Sequence, residues 1–446
     1  MTKRVVVVGG GIAGLAAAHR LHTLRPDLDV ILLDQRERPG GKLSTGSLAG
    51  LPVERGAESF LVGGPSAAVE LAHEVGLGDA VVHPGPARAA VAIGGHLRDL
   101  PSGTLMGIPL EGEDPPGDGP LLNENADISV GAFVRPRRGD EVVDHYVEPL
   151  LGGVYAGRAD KLSLRMAIPN LAAAAERHDT LTAALKNATS PREPGAPVFG
   201  AIADGGMGRF VQAITQNLPD VRSGVTVREL QQTAKGWRLV LGSTRDAETL
   251  DADAVVLAVP APNASRLLDD VQTLELEYAS IALVALALPA TKLPELSGFL
   301  VPATEGLAVK AVTFFDRKWP HLRRPGVTIL RASVGRHGDE AQLQRTDDGL
   351  ADVVRAEVAR LIGVDALPEE LDRGVYRWGG ALPQYAPGHR DRVAALRRTI
   401  ETYAPIAVAG AAYDGVGIPA CITSGRTAAE AVIAQLTEAQ LGESST

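Results

Sequence analysis

Residues 4–14 read Arg-Val-Val-Val-Val-Gly-Gly-Gly-Ile-Ala-Gly, and the next ten residues are rich in Ala and Leu. The run of β-branched valines predicts a strand that is buried on both faces of a parallel sheet. Gly9, Gly11 and Gly14 match the pattern G-x-G-x-x-G, in which the glycines allow a tight turn, a close approach of the backbone to a pyrophosphate and close packing of the next helix. The order of strand, glycine turn and helix predicts a dinucleotide-binding domain of Rossmann type.

An acidic residue follows at the spacing that this kind of domain requires. Residues 30–33 are apolar and predict a second strand, and Asp34 comes twenty residues after Gly14, where a carboxylate binds the ribose hydroxyls. The first turn of the helix offers free N–H groups to the phosphates. The predicted dinucleotide contacts of this region are Gly9, Gly10, Gly11, Ile12, Ala13, Gly14, Asp34 and Gln35.

The residues after Asp34 favour FAD over a nicotinamide cofactor. Residues 34–42 read Asp-Gln-Arg-Glu-Arg-Pro-Gly-Gly-Lys, which is similar to the second glycine doublet of FAD-binding oxidases. Arg38 can add positive charge beside the pyrophosphate, and the doublet lets the chain cross close to the cofactor. We therefore predict FAD as the cofactor, with Arg38, Gly41 and Lys42 as further contacts.

Composition excludes several other classes of protein. The net charge is −10, from 44 Lys and Arg against 54 Asp and Glu, which argues against a nucleic-acid-binding protein. The single cysteine, Cys421, excludes an internal disulfide and fits a reducing compartment. The ten histidines show no ligand spacing, so no metal site is predicted, and His19 and His22 are expected to face solvent. Because no apolar run is long enough for a membrane span and no signal peptide is evident, we expect a cytoplasmic protein.

Three stretches resemble one enzyme family. Residues 51–61 read Leu-Pro-Val-Glu-Arg-Gly-Ala-Glu-Ser-Phe-Leu, and residues 147–157 read Val-Glu-Pro-Leu-Leu-Gly-Gly-Val-Tyr-Ala-Gly. Residues 409–426 read Ala-Gly-Ala-Ala-Tyr-Asp-Gly-Val-Gly-Ile-Pro-Ala-Cys-Ile-Thr-Ser-Gly-Arg. These stretches resemble segments of the bacterial FAD-dependent protoporphyrinogen and coproporphyrinogen oxidases, which belong to the wider amine-oxidase type of flavoprotein. The resemblance runs from residue 4 to about residue 433.

The resemblance implies further cofactor contacts. The segment around Ser59 passes the flavin with its backbone in that family, and Ala57 stands here where proline is frequent. The closing stretch contacts the flavin, and Val227 presents its backbone to the adenine. The contacts that the resemblance adds are Gly56, Ala57, Glu58, Ser59, Val227, Trp378, Gly410, Val416, Gly417 and Ile418.

The resemblance also implies a reaction. It is the oxygen-dependent oxidation of coproporphyrinogen III to coproporphyrin III in haem biosynthesis, with hydrogen peroxide as the second product. The alternatives are protoporphyrinogen IX oxidation, a related amine or carotenoid oxidase, and a flavin- or porphyrin-binding protein without turnover. Because the flavin carries the redox chemistry, no side-chain nucleophile is needed and no catalytic residue is predicted.

The carboxylates of a porphyrinogen need basic partners. Where relatives often carry a basic pair after the Ser-Phe-Leu segment, this chain has Val62–Pro65, so other residues must serve. The candidates are Arg165, Arg209, Lys310, Arg331 and Arg336. The resemblance leaves open a peripheral membrane contact, a hand-over of product to a ferrochelatase, and a monomeric or homodimeric state.

We expect an α/β fold in which the cofactor-binding pieces are scattered along the chain. A discontinuous Rossmann-type FAD-binding domain would accompany a substrate-binding domain with a mixed sheet and a helical domain used for membrane contact or dimer packing. Strands are predicted over residues 279–288, 308–315 and 327–335. The expected domains are 1–62, 205–262 and 371–446 for FAD, 63–79 and 263–370 for substrate, and 80–204 for the helical domain.

Overall fold

A computed structural model of the chain describes residues 2–85, 88–114, 117–189, 196–268 and 274–444. The strands of these residues are β1 (Arg4–Val8), β2 (Asp29–Asp34), β3 (Thr45–Leu48), β4 (Leu51–Glu54), β5 (Phe60–Leu61), β6 (Val81–Val82), β7 (Arg88–Ile93), β8 (His96–Asp99), β9 (Thr104–Leu105), β10 (Ile108–Pro109), β11 (Phe199–Ile202), β12 (Asp220–Ser223), β13 (Val227–Thr233), β14 (Gly236–Gly242), β15 (Ala247–Ala252), β16 (Ala254–Leu257), β17 (Glu277–Pro289), β18 (Leu296–Leu300), β19 (Val309–Phe314), β20 (Val327–Val334), β21 (Asp372–Gln384) and β22 (Ile406–Val408). Their α-helices are α1 (Ile12–Leu24), α2 (Ala67–Glu74), α3 (Val130–Arg138), α4 (Asp140–Val142), α5 (Glu148–Tyr155), α6 (Leu164–Ala167), α7 (Pro169–Ala175), α8 (Leu181–Ala188), α9 (Gly206–Gln216), α10 (Ala261–Leu267), α11 (Phe315–Lys318), α12 (Asp347–Ile362), α13 (His389–Ile400), α14 (Ala411–Asp414) and α15 (Ile418–Ser444).

A five-stranded parallel sheet in the order β12-β2-β1-β16-β22 forms the centre of the cofactor-binding part. Val5 and Val7 pack on one face with α1 and α15, while Val6 and Val8 pack on the other with the antiparallel sheet β13-β14-β15. Because both faces are covered, β1 is an unbroken run of valines instead of an alternating strand. The predicted α/β architecture with a buried first strand is therefore confirmed.

Helix α1 is covered on more sides than the sequence suggested. His19 is only 8% exposed, and its Nδ1 lies 3.6 Å from an oxygen of Glu74 on α2. Burial lowers the pKa of His19, so its ring is kept neutral more readily than a solvent-exposed one. The expectation that His19 faces solvent was wrong, because α2 and α15 pack over this side of α1.

A seven-stranded mixed sheet in the order β21-β17-β20-β19-β18-β7-β8 forms the second large layer. One face packs on α12 through side chains such as Leu286 and Leu350, and the other carries Ala285 and Ala287 toward the cofactor-binding part. The strands predicted over residues 279–288, 308–315 and 327–335 are confirmed as β17, β19 and β20. The sheet therefore stands beside the parallel sheet and can enclose a ligand between the two parts.

Helices α3 to α8 form a separate hydrophobic cluster around Phe133 and Leu151, which Tyr385 joins from the end of β21. The structure differs from the expected helical domain at residues 88–99, which form the hairpin β7-β8 at the edge of the mixed sheet. Residues 88–93 contain three alanines, which are compatible with a helix, but Gly94 and Gly95 have φ of 62° and 76°, as a two-residue hairpin turn requires. Of the helices in the described ranges, none combines the length and the apolar character that crossing a membrane would demand.

Candidate cofactor and substrate site

The glycine turn after β1 has the geometry of a phosphate cradle. Gly9 has a φ of 107°, and a methyl group there would lie 2.5 Å from the carbonyl oxygen of Ala258, so the turn requires glycine. A methyl group at Gly14 would overlap the carbonyl oxygen of Gly9. At Gly11, by contrast, an added methyl group would meet no atom within 4 Å. The open space at Gly11 faces the start of α1, which has no side-chain cap, and a pyrophosphate fits that space.

Asp34 lies at the end of β2 beside this turn. Its buried carboxylate accepts the N–H of Gly10 at 2.6 Å on one oxygen and the N–H of Arg36 at 2.7 Å on the other. Each carboxylate oxygen keeps a second acceptor position, which suits ribose hydroxyls. The backbone oxygen of Asp34 accepts the N–H of Val225 at 2.9 Å, which brings the start of the strand that carries Val227 to the same edge. The Val227 side chain is itself buried beneath the parallel sheet.

The second glycine doublet crosses directly over the first turn. The N–H of Gly40 donates to the oxygen of Gly10 at 2.6 Å, and a methyl group at Gly41 would lie 3.2 Å from Cα of Gly11. Gly40 and Gly41 both have positive φ, so this crossing needs glycine. The side chains of Gln35, Arg38 and Lys42, by contrast, are exposed next to the crossing.

The segment around Gly56 packs against the chain that follows the doublet. The N–H of Ala57 donates to the oxygen of Lys42 at 3.0 Å. A methyl group at Gly56 would overlap that same oxygen and would lie 3.3 Å from the indole of Trp378. The structure thus brings Gly56, Ala57 and Trp378 together with Lys42, while Ser59 lies half-buried just before β5.

The closing stretch packs against the first turn of α1. A methyl group at Gly410 would lie 3.6 Å from Cβ of Ala13, and one at Gly425 would overlap the oxygen of Ala13. The N–H of Gly410 donates to Oγ of Ser424 at 2.8 Å, and that hydroxyl donates to Asp414 at 2.5 Å. Because this hydroxyl links the loop to α15, the loop has a defined position at the start of the helix. Ser424 was not among the predicted residues, although a serine inside a helix can bond backbone groups in this way.

The other residues of the closing stretch divide between two environments. Ile418 is buried in the same cluster as Ala13, whereas Val416 packs against the helical part. Gly417 is exposed, with a φ of 105°. Cys421 is buried, and burial raises the pKa of its thiol to about 11, as expected for a cysteine that fills space. The loop from Gly410 to Ile418 thus presents backbone between the two parts of the molecule.

The side chain of Glu58 makes ion pairs with two basic residues of the protein instead of being free to contact a cofactor. Its carboxylate pairs with Lys318 on one oxygen and with Arg331, at 2.5 Å, on the other. Burial would raise the pKa of Glu58, but Lys318 and Arg331 lower it to about 2. Arg331 was a candidate for substrate carboxylates, and the structure gives its guanidinium to Glu58 and to backbone oxygens.

Glu54 is a buried carboxyl that sequence reasoning missed. It accepts the N–H of Met207 at 2.8 Å and the hydroxyl of Thr45 at 3.0 Å. Burial raises the pKa of Glu54 to about 7, since these hydrogen bonds compensate only in part. The only available signal was an acidic residue at the end of an apolar run, Leu51-Pro-Val-Glu54.

The four remaining basic candidates for substrate binding do not form one group. Arg165 pairs with Glu176 within the helical part, and Arg209 donates to the oxygen of Ala203 at 3.2 Å. Lys310 and Arg336 are 4% and 6% exposed, and neither contacts a carboxylate among the described residues. Each of these two instead donates to backbone oxygens.

Lys310 and Arg336 lie side by side between the mixed sheet and the helical part. Nζ of Lys310 donates to the oxygen of Gly152 on α5 at 3.1 Å, and Arg336 donates to the oxygen of Val309, the residue before Lys310, at 3.3 Å. Burial, followed by the neighbouring charges of Arg336 and Arg331, lowers the pKa of Lys310 to about 7. Two neighbouring buried basic side chains that make no ion pair with a carboxylate of the described residues favour the binding of an anion.

Comparison with known proteins gives consistent results over almost the whole chain. Residues 12–433 match the family described as flavin containing amine oxidoreductase. The coproporphyrinogen III oxidase of Mycobacterium tuberculosis is 38% identical over 456 residues, covering 96% of this chain and 97% of that protein. The protein of the same name from Bacillus subtilis is 32% identical over 463 residues, covering 96% and 97%. A solved structure of a putative protoporphyrinogen oxidase from Exiguobacterium superposes with a TM-score of 0.84 at 30% identity, covering 98% and 99%.

Proposed function

The chain belongs to the flavin-containing amine oxidoreductases and is an FAD-dependent oxidoreductase, and we propose that it oxidises coproporphyrinogen III to coproporphyrin III. The observation that carries this choice of substrate is the full-length similarity to relatives that bear the name coproporphyrinogen III oxidase in several bacteria. The open cradle at Gly11 and the buried carboxylate of Asp34 support the cofactor's placement.

The overall reaction removes six electrons and six protons from the substrate. Three molecules of oxygen would accept them and leave as three molecules of hydrogen peroxide. When bound, FAD supplies the hydride acceptance and the transfer of electrons to oxygen. The protein's share is to hold the cofactor and the macrocycle against each other and to keep water from the reacting carbon.

The residues that hold the cofactor follow from the geometry above. The first turn of α1 and the space at Gly11 would take the pyrophosphate, and Asp34 would take the ribose hydroxyls. The loop from Gly410 to Ile418 would lie along the flavin, and the start of α15 would offer partial positive charge to it.

Lys310 and Arg336 are the basic residues that best suit the substrate's carboxylates. They are adjacent, buried and free of carboxylate partners in the described part of the chain, unlike Arg165, whose charge is already paired. A propionate placed between α5 and the mixed sheet would neutralise both cations. Arg209 on α9 stays a weaker candidate because its guanidinium donates to the backbone oxygen of Ala203 in the loop before its own helix.

Protoporphyrinogen IX is the second candidate substrate, because the solved structure from Exiguobacterium carries the name putative protoporphyrinogen oxidase. Coproporphyrinogen III has four propionates, whereas protoporphyrinogen IX has two propionates and two vinyl groups. A buried pair of basic side chains can bind a propionate of either substrate, so the relative rates of turnover must decide between them.

The test is porphyrin fluorescence from purified, FAD-loaded protein in air, with each porphyrinogen supplied separately and autoxidation subtracted. We expect faster turnover of coproporphyrinogen III, with one hydrogen peroxide formed for each oxygen consumed. Faster turnover of protoporphyrinogen IX would reject the first substrate in favour of the second. Absence of enzyme-dependent porphyrin from both would reject the porphyrinogen oxidase function altogether.

A further inference from the structure

Three successive backbone carbonyls before the flavin segment are all bound by side chains of the mixed sheet. Arg331 on β20 donates to the oxygen of Glu54 at 2.8 Å and to the oxygen of Gly56 at 3.0 Å. Trp378 on β21 donates through Nε1 to the oxygen of Arg55, which lies between them, at 2.6 Å. Side chains of β20 and β21 in the mixed sheet therefore bind the backbone of residues 54–56 in the cofactor-binding part.

Glu58 fixes the arginine of this arrangement. Its carboxylate receives the second terminal nitrogen of Arg331 and, on its other oxygen, the ammonium of Lys318. The side chains of Glu58 and Arg331 are 9% and 10% exposed, so solvent screens the pair little. The guanidinium also lies over the ring of Phe315, 5.2 Å from its centroid. Arg331 is thus restrained on all sides while it binds the two carbonyls.

The same stretch is held on its other side by the cofactor-binding part. The N–H of Arg55 donates to the oxygen of Ser44 at 2.7 Å, and the N–H of Ala57 donates to the oxygen of Lys42 at 3.0 Å. Those acceptors directly follow the doublet that crosses over Gly11. The stretch from residue 54 to residue 58 is therefore the backbone bridge between the mixed sheet and the pyrophosphate cradle.

We propose that Arg331, Trp378 and Glu58, which we name the carbonyl clamp, are positioning residues that set where the flavin stands relative to the substrate sheet. The carbonyl clamp would act through the backbone of residues 54–58 and not by contact with substrate. Because hydride transfer depends steeply on distance and alignment, loss of the clamp should lower the rate more than it weakens substrate binding. The inference concerns the same flavin site as the proposed function, but its first test needs no porphyrinogen.

Two variants remove the clamp by different routes. Arg331→Met removes the carbonyl bonds of the arginine, and Trp378→Phe removes only the indole N–H and keeps an aromatic ring. The matched control is Arg377→Met, because Arg377 lies on the same strand as Trp378 and likewise donates to two carbonyl oxygens, those of Leu343 and Arg345, and to a carboxylate. Its partners, however, lie away from the flavin segment.

The measurements are FAD titration of the apoprotein by flavin fluorescence and the visible circular dichroism of the bound flavin. We expect both clamp variants to change the dichroism and to raise the dissociation constant of FAD, by about ten-fold for Arg331→Met, which loses a charged donor, and by roughly three-fold for Trp378→Phe, which loses a neutral one. Arg377→Met should leave both unchanged. Thermal unfolding of each apoprotein separates a folding defect from a cofactor effect.

Arg331→Lys distinguishes charge from carbonyl binding. It keeps a cation opposite Glu58 but cannot present the planar fork to two carbonyls. We expect its flavin dichroism to resemble that of Arg331→Met. Two results would overturn the proposal, whether or not the protein oxidises a porphyrinogen. One is an Arg331→Lys variant that is indistinguishable from the wild type. The other is a pair of clamp variants that match the control in FAD affinity and dichroism.

Discussion

At the scale of single residues, the site depends on which glycines have empty space beside them. Gly9 and Gly14 are needed by the backbone itself, whereas no atom of the described residues occupies the side-chain position of Gly11, where we propose that the pyrophosphate binds. Gly11→Val should therefore leave the apoprotein folded, with an unfolding temperature close to that of the wild type. We expect it to weaken FAD binding by at least about a hundred-fold, since the branched side chain fills the phosphate position and lost phosphate contacts add to the cost.

Equilibrium dialysis of FAD against purified Gly11→Val and the wild type measures this effect. Gly14→Val is the contrasting variant, because its side chain would overlap the Gly9 carbonyl, and it should fail to fold. Stoichiometric flavin in Gly11→Val would contradict the placement of the pyrophosphate.

The buried carboxyl of Glu54 makes stability depend on pH in an unusual direction. Its pKa is about 7 in the folded protein against an ordinary value of 4.5, so the folded state holds a proton that the unfolded state has lost. The contribution of Glu54 to the free energy of unfolding is up to about 3 kcal/mol. It is fully present below pH 4.5 and is lost as pH rises through 7. Urea unfolding at pH 5 and pH 7.5 measures it. Glu54→Gln should remove this difference, while Glu369→Gln, at an exposed position, should keep it.

The carboxyl of Glu58 makes the free energy of unfolding depend on pH in the opposite direction. Its pKa of about 2 means that its ion pairs stabilise the protein above about pH 4.5 and are lost as pH falls toward 2. The pH ranges over which Glu54 and Glu58 titrate do not overlap. If the free energy of unfolding of Glu54→Gln still declined between pH 5 and pH 7, the assignment to Glu54 would be contradicted.

Lys310 is the residue whose charge should control substrate affinity. Because its pKa is about 7, it loses its proton as pH rises through neutrality. If it binds a propionate, KM for the porphyrinogen should rise over that range in the wild type, and Lys310→Arg should abolish the rise. Lys310→Met should raise KM by about ten-fold at pH 6.5. Steady-state kinetics from pH 6 to pH 8.5 test this, with Lys292→Met as the exposed control. Unchanged KM in Lys310→Met would remove Lys310 from the substrate site.

At the scale of elements, an irregularity in one strand places Lys310. Val309 pairs with Val334 and Ala311 with Ser333, so Lys310 is an extra residue in β19 that has no partner in β20. Such a bulge turns a side chain out of the regular alternation. Here it lets Lys310 reach the oxygen of Gly152 on α5. The mostly apolar run of residues 308–315 predicts the strand, but a bulge depends on the register between two strands and cannot be predicted from one of them.

The contact of α1 with α15 shows how close approach overrides helix propensity. Replacing a helical glycine by alanine ordinarily gains roughly 1 kcal/mol. At Gly425 the added methyl group would overlap the backbone oxygen of Ala13, and overpacking of this kind costs about 1–3 kcal/mol or more. We expect Gly425→Ala to lower the free energy of unfolding and Gly152→Ala, at a helical position with open space, not to lower it. Denaturant titration of both variants gives the comparison, and a stabilised Gly425→Ala would show that the two helices can separate freely.

At the scale of the whole molecule, the sequence predicted features that lie within one continuous stretch. It did not predict pairings between residues that are far apart in the chain. The glycine turn, Asp34 and the closing stretch are continuous patterns, so their approach to one another follows from the known order of a Rossmann sheet. The pairing of Glu58 with Arg331 joins positions 273 residues apart, and nothing in either neighbourhood marks the other. The hairpin of residues 88–99 was not predicted. Its alanines are compatible with a helix, and the Gly94-Gly95 turn alone does not show that the residues on either side of it pair as strands.

The central sheet takes its strands from the beginning, the middle and the end of the chain. During synthesis the ribosome delivers β1 and β2 first, yet β16, which pairs with the other edge of β1, and β22, which pairs with β16, emerge some 250 and 400 residues later. Until then one edge of β1 has no partner strand, and we expect this unpaired edge to make the nascent chain prone to aggregation. The loop from Gly410 to Ile418, which we propose lies along the flavin, is among the last segments translated. We therefore expect stable FAD binding only after this loop and α15 have been added to the chain.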